Sequence, residues 1–88
     1  MRRAPRKSGP MDPALRVAVL VRDEYTCQAA VRGYPHRCFG RLHVHHIRLR
    51  SQGGKDSLEN LVSVCGGAHH QIHNVDRAGA ERYGLIAR

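Results

Sequence analysis

Seven histidines fall in a chain of 88 residues, six of them between His43 and His73, and their spacing constrains the fold more than any other feature. His69 and His73 are four residues apart, close to one helical turn, so on a helix both imidazoles share a face and can share a metal ion. His45 and His46 are adjacent, and neighbouring strand residues point to opposite faces. A regular strand therefore sends only one of that pair toward the helix. The pair needs a division of labour, or a strand end where the backbone turns. The surrounding pattern supplies the elements. Residues 42–47 alternate as a short strand, and 48–60 are a polar loop containing Gly53 and Gly54. Residues 61–64 form a second strand, Gly66 and Gly67 turn the chain, and 68–75 are helical.

A chain of this length holds one domain at most and buries a modest share of its surface. With one Phe, three Tyr and no Trp, aromatic side chains add little to its core. A bound metal can make up the shortfall, because its binding free energy becomes folding free energy. Residues 1–11 combine Arg, Lys, Pro, Ser and Gly with almost nothing to bury and read as a flexible basic arm. Asp12 caps a first helix and Pro13 suits its first position. That helix carries Leu15 to Val21 and ends near Asp23 to Tyr25. Residues 26–41 are a loop, punctuated by Gly33, Pro35 and Gly40 and bracketed by Cys27 and Cys38. A last short helix over 77–83 ends before Gly84. Residues 12–88 thus read as a single α+β domain.

The formal charge is +8, from 15 Lys and Arg against 7 Asp and Glu. A surface so basic attracts polyanions and releases their counterions, and nucleic acid is the commonest such partner. Three cysteines cannot form a fully paired disulfide framework, so a reducing, cytoplasmic setting is expected, with thiols available for metal. No stretch approaches a membrane span, and no apolar region follows the basic N-terminal residues as a secretory signal requires.

Hydrolysis of a phosphodiester needs a nucleophilic water and neutralisation of charge on the phosphate and leaving oxygen. A metal does the second and an imidazole can do the first, since it titrates near working pH. One histidine of the pair would then bind metal while the other activates water.

The stretch LHVHHIRLRSQGGKDSLENLVSVCGGAHHQIH resembles the HNH endonuclease family. The shared pattern is a His-His or Asp-His pair on a first strand, a loop with Gly-Gly and an Asn, a second strand, then Cys-x-x-Cys-His-x-x-x-His on a helix. The resemblance runs from about Arg16 to His73, and RVAVLVRDEYTC is similar to the family's lead-in. It implies a small ββα-metal core (the His-Me finger), here with an N-terminal helix and a short C-terminal one. It implies His45, His69 and His73 as metal ligands, His46 as general base, and Asn60 as the residue that fastens the loop and keeps the base oriented. The spelling RSQGG and the small size are similar to phage and prophage members, which implies packaging or processing of phage DNA, with packaging proteins as partners. Host defence and mobile-element activity stay open.

Many family members hold a structural zinc with two Cys-x-x-Cys knuckles. Each knuckle has lost a partner here: Ala30 stands where Cys27 would have one, and Ala68 where Cys65 would. Cys27, Cys38 and Cys65 are therefore expected to bind zinc with His70 as fourth ligand, since residues 69 and 70 diverge by about 100° on a helix and can each serve a different metal. His36 is the less favoured fourth ligand.

The catalytic ion is expected to be Mg, Mn, Ni or Zn; imidazole ligands suit the transition ions better. Arg37, Arg41, Arg48, Arg50 and Lys55 flank the histidine pair and are candidate phosphate contacts. No aromatic platform accompanies them, which favours duplex DNA over single strands and weak sequence preference. The function read from all this is a DNA endonuclease or nickase, monomeric or weakly dimeric. The alternative is a catalytically weak DNA-binding module within a larger phage assembly.

Overall fold

The computed structural model describes residues 11–87. The basic arm expected over 1–11 lies almost entirely outside the described residues. Helix α1 spans Pro13–Arg22. The Asp12 carboxylate caps it, accepting the N–H of Ala14 at 3.0 Å, and Pro13 occupies its first turn. The helix ends where Glu24 and Tyr25 turn left-handed, with φ of 57° and 53°.

Strands β1 (Leu42–His46) and β2 (Leu61–Cys65) pair antiparallel, with Leu42 opposite Cys65, His45 opposite Val62 and His46 opposite Leu61. Every residue of β2 is buried. Its unbroken apolar run reflects packing on both faces: α1 and the short helix α2 (Gln28–Val31) contact it, and so does α3 (Gly66–Asn74). α2 is one turn of helix inside the segment expected to be all loop. It is held by Ala29, which is fully buried in the core. The long loop after β1 likewise contains two 3₁₀ turns, Arg50–Gln52 and Leu58–Asn60.

Helix α4 (Arg77–Arg82) follows α3, capped by Asp76, whose carboxylate accepts the N–H of Gly79 at 2.9 Å. The core gathers Val62 and Val64 of β2, Ala68 and Ile72 of α3, Ala80 of α4 and the C-terminal pair Leu85 and Ile86. This is the α+β arrangement with the ββα order β1, β2, α3.

An ion pair between exposed Arg22 and buried Asp23 ties α1 to the sheet. Arg22 donates to both Asp23 carboxylate oxygens (2.7 and 2.9 Å) and to the carbonyls of Leu58 and Leu61 (both 2.7 Å). Asp23 also accepts the N–H of Ser63 at 2.9 Å. Burial pushes the Asp23 carboxyl up, but the Arg22 and Ser63 hydrogen bonds outweigh it and hold the group below its usual range. No helix among the described residues is long and apolar enough to cross a membrane.

Candidate active site and metal centres

β1 and α3 bring three imidazoles to one point. His45, His69 and His73 each offer a nitrogen, and these atoms lie within 4.8 Å of one another. The rings meet edge-on, at 71° for His45 and His69, 74° for His45 and His73, and 89° for His69 and His73. Crossed planes let lone pairs converge where stacked planes would not. His45 is buried, and its Nε2 lies 2.6 Å from the carbonyl of Leu85. A carbonyl can only accept, so Nε2 carries the proton and Nδ1 is left as the donor nitrogen. Burial pulls His45 down to about 4, the Leu85 carbonyl opposes the fall, and the neighbouring histidines reinforce it. His69 is pulled to about 4 by burial and then by His73 and His43. Burial and then Arg77 lower His73. Three neutral imidazoles with convergent lone pairs fit a divalent ion. His43 shares the face and stacks on His69 with ring centroids 4.9 Å apart, but stands outside the triad.

His46, at the end of β1, is turned away from the triad into the loop. Its Nε2 lies 2.7 Å from Oδ1 of Asp56, a carboxylate that also accepts from Arg50 at 3.2 and 3.3 Å. Asn60 fastens this loop from the far end. Its Oδ1 accepts the N–H of Arg48 at 2.8 Å, and its Nδ2 donates to the carbonyls of Arg48 and Lys55, each at 3.0 Å. Gly54 makes the close approach possible, because a Cβ there would strike the Arg48 carbonyl.

The second cluster corrects one expectation. Cys27, Cys38 and Cys65 do converge, but the fourth residue with them is His36 and not His70; the four ligand atoms lie within 4.8 Å of one another. His70 is exposed on the outer side of α3, where the Asn74 amide contacts its ring and its carbonyl. The reason is helical geometry: Ala68 and Ile72 mark the buried stripe of α3, and residue 70 lies about 200° from each. His36 Nδ1 is 2.6 Å from the carbonyl of Tyr34, which leaves Nε2 facing Cys27 Sγ at 3.9 Å. Cys27 Sγ accepts the N–H of Cys65 and Cys65 Sγ that of Ala68, each at 3.3 Å. Burial pushes the Cys65 thiol up, but hydrogen bonds from Ala68, Cys38, Phe39 and Cys27 outweigh it and bring it down to about 7. Cys38 is pushed up to about 12, first by its hydrogen bond with Cys65 and then by burial and the charge of Cys27 and Cys65. The opposition that Cys38 meets from its neighbouring thiols is what a cation would relieve, and a Cys3His donor set suits zinc.

The model of the family described as HNH endonuclease matches residues 26–75, more than half of the chain. The chain belongs to the HNH endonuclease family. No curated protein and no solved structure matches it. It therefore carries a nuclease domain of a class that acts on nucleic acid with divalent metals.

Of the candidate phosphate contacts of this HNH domain, Arg37, Arg41, Arg48 and Lys55 are exposed, whereas Arg50 is half-buried against Asp56. Two site groups escaped sequence reasoning. Asp56 is an acid in a polar loop, visible only as a charge near a histidine pair. The Leu85 carbonyl has no signal in the sequence beyond the apolar Leu85-Ile86 pair that anchors the C-terminal segment. That segment runs beside β1, with the Ala87 N–H donating to Ile47 at 2.8 Å.

Proposed function

We propose that the protein is a metal-dependent endonuclease that hydrolyses phosphodiester bonds of duplex DNA, one strand at a time. The observation that carries this reading is the convergence of His45, His69 and His73 next to a fourth imidazole, His46, that a carboxylate holds apart from them. A divalent ion held by the three would supply positive charge against the phosphate and the leaving oxygen. His45 and His69 present bare lone pairs because burial keeps them neutral. His46 takes the proton of the attacking water. Asn60 fixes the loop against β1 so that the base keeps its place. Arg37, Arg41, Arg48 and Lys55 hold flanking phosphates, a contact that positions DNA without reading it. Cys27, His36, Cys38 and Cys65 would hold a zinc ion, which would staple the 27–38 segment to the end of β2, a structural and not a chemical role.

The charge of +8 supports DNA as the substrate. One active site per chain produces a nick, so a double-strand break requires a second copy or a partner. The RSQGG spelling supports a phage or prophage setting, acting on phage DNA inside the bacterial cell.

The test is nicking of supercoiled plasmid by wild type and His46→Ala with Mg²⁺, Mn²⁺ or Ni²⁺. Wild type should nick; the variant should not, while metal content and DNA affinity persist. Equal nicking by both removes His46 as the base. DNA binding without nicking by either would establish the alternative, a binding module within a larger assembly.

A further inference from the structure

We propose that Arg32 is a positioning residue for the metal ligand His45: by holding the C-terminal segment it fixes the Leu85 carbonyl, which takes the Nε2–H of His45 and leaves Nδ1 for the ion. The inference rests on the reading of His45, His69 and His73 as a metal site. A neutral imidazole has one N–H, and a nitrogen that donates its proton cannot also hold an ion. The carbonyl that accepts from His45 at 2.6 Å belongs to a segment beyond residues 26–75, the stretch that matches the family. What holds that carbonyl therefore decides how a ligand of the triad is turned.

The segment is tied on both sides of Leu85. After it, the Ala87 N–H donates to Ile47 at 2.8 Å, just past the end of β1. Before it, one nitrogen of Arg32, Nη1, donates to the carbonyls of Tyr83 at 3.1 Å and Gly84 at 2.7 Å. Arg32 lies between Cys27 and His36, on the segment that carries the cysteine cluster. Tyr34 of the same segment grips the other end of α4: its hydroxyl donates to the Asp76 carbonyl at 3.1 Å, and its ring meets Tyr83 edge-on. Leu85 and Ile86 are buried, so the peptide that presents the carbonyl has little room to turn. A cap for the orphan carbonyls of α4 would account for the bonds to Tyr83 and Gly84 alone. It would not account for the next carbonyl along being the one aimed at a ligand of the triad.

The test uses the full chain, labelled with ¹⁵N, as wild type, Arg32→Ala, Arg32→Lys and Gly84→Ala. Arg32 is exposed, so its loss leaves the core closed. Gly84→Ala disturbs the same contact from the other side, because a Cβ there would lie 3.1 Å from the guanidinium and strain a φ of 71°. Long-range ¹H–¹⁵N correlation spectra at about pH 8, where imidazole is mainly neutral, report which ring nitrogen of His45 carries the proton before metal is added. Zinc titration against a competing chelator, followed on the rings of His45, His69 and His73, reads the affinity of the triad apart from that of the cysteine cluster. Wild type should show the Nε2–H form. Arg32→Ala and Gly84→Ala should show a mixture of the two forms and bind zinc at the triad about tenfold more weakly. Arg32→Lys puts one donor nitrogen in place of another and should bind within about threefold of wild type. An Nδ1–H form in wild type overturns the proposal. So does an Arg32→Ala protein that loses stability in urea but keeps the wild-type spectrum and affinity, since Arg32 is then a helix cap only. A deficit in Arg32→Lys as deep as that in Arg32→Ala overturns it too. Wild type that takes up no zinc at the triad removes the metal reading and this inference with it, whereas zinc uptake without cleavage under any ion overturns the nuclease reading alone.

Discussion

Lowering the pH should destabilise the metal-free protein through His45. This ring is 2% exposed. Burial is the largest cause that pulls it to about 4, against an ordinary value of 6.5 that the unfolded chain regains. Between those values the unfolded chain binds a proton that the folded chain refuses, so stability falls as the pH falls. The contribution is complete above the unfolded value and is lost progressively down to the folded one. At about pH 5 the loss from His45 alone is on the order of 2 kcal/mol. A domain of this length is held by roughly 4–13 kcal/mol, so the loss is a sizeable share. His69 titrates in the same direction. The assay is urea unfolding followed by circular dichroism at about pH 7.5, 6 and 5, with a weak chelator keeping ions off the triad. Wild type is compared with His45→Gln, which has no proton to gain, so the difference between the two isolates His45. The wild-type advantage should shrink by about 2 kcal/mol from the highest pH to the lowest. A difference that stays constant across the series would refute burial as the force keeping His45 neutral.

The remaining predictions concern the second cluster, the loop and the DNA contacts. His36→Ala should lose the zinc bound by the cysteines while His70→Ala retains it, as metal analysis of the purified variants will show. Gly67→Ala should lose that metal as well. A Cβ there would strike the Arg37 carbonyl and the Phe39 ring, displacing the segment that carries Cys38; the readout is zinc content together with a lowered melting temperature. Asn60→Ala removes three hydrogen bonds across the loop and should cost about 2 kcal/mol of stability in urea unfolding. It should also lower the nicking rate about tenfold or more, with DNA affinity within about twofold. If about four phosphates are neutralised on duplex DNA, log K against log salt should have a slope of about −3.6; a slope near zero would remove Arg37, Arg41, Arg48 and Lys55 as phosphate contacts.

What could be read from the sequence and what could not divides along the line between local and non-local physics. The strand β1 and the start of α1 follow from short-range rules, alternation in one case and the Asp12-Pro13 cap in the other, and both appear as expected. The i, i+4 spacing that puts His69 and His73 on one face of α3 is local too. The fourth residue of the cysteine cluster is not. The roughly 100° between residues 69 and 70 shows only that they diverge. The side on which Cys27 and Cys38 lie depends on how the 27–38 segment is routed, and that routing is set by Ala29 and Tyr34 in the core and by the close pass of Phe39 over Gly67. Part of the answer was nevertheless available: Ala68 and Ile72 are the apolar positions of α3, and a stripe through them leaves His70 facing away. The groups that orient the two adjacent histidines are beyond any such arithmetic. The Leu85 carbonyl is 40 residues from His45, and Asp56 reaches His46 only because a loop closed by Asn60 folds back on β1. Backbone carbonyls have no sequence signature, and a lone loop acid has an ambiguous one. The ligand set was therefore legible in its residue types, while the second layer, which decides what each nitrogen does, required the fold.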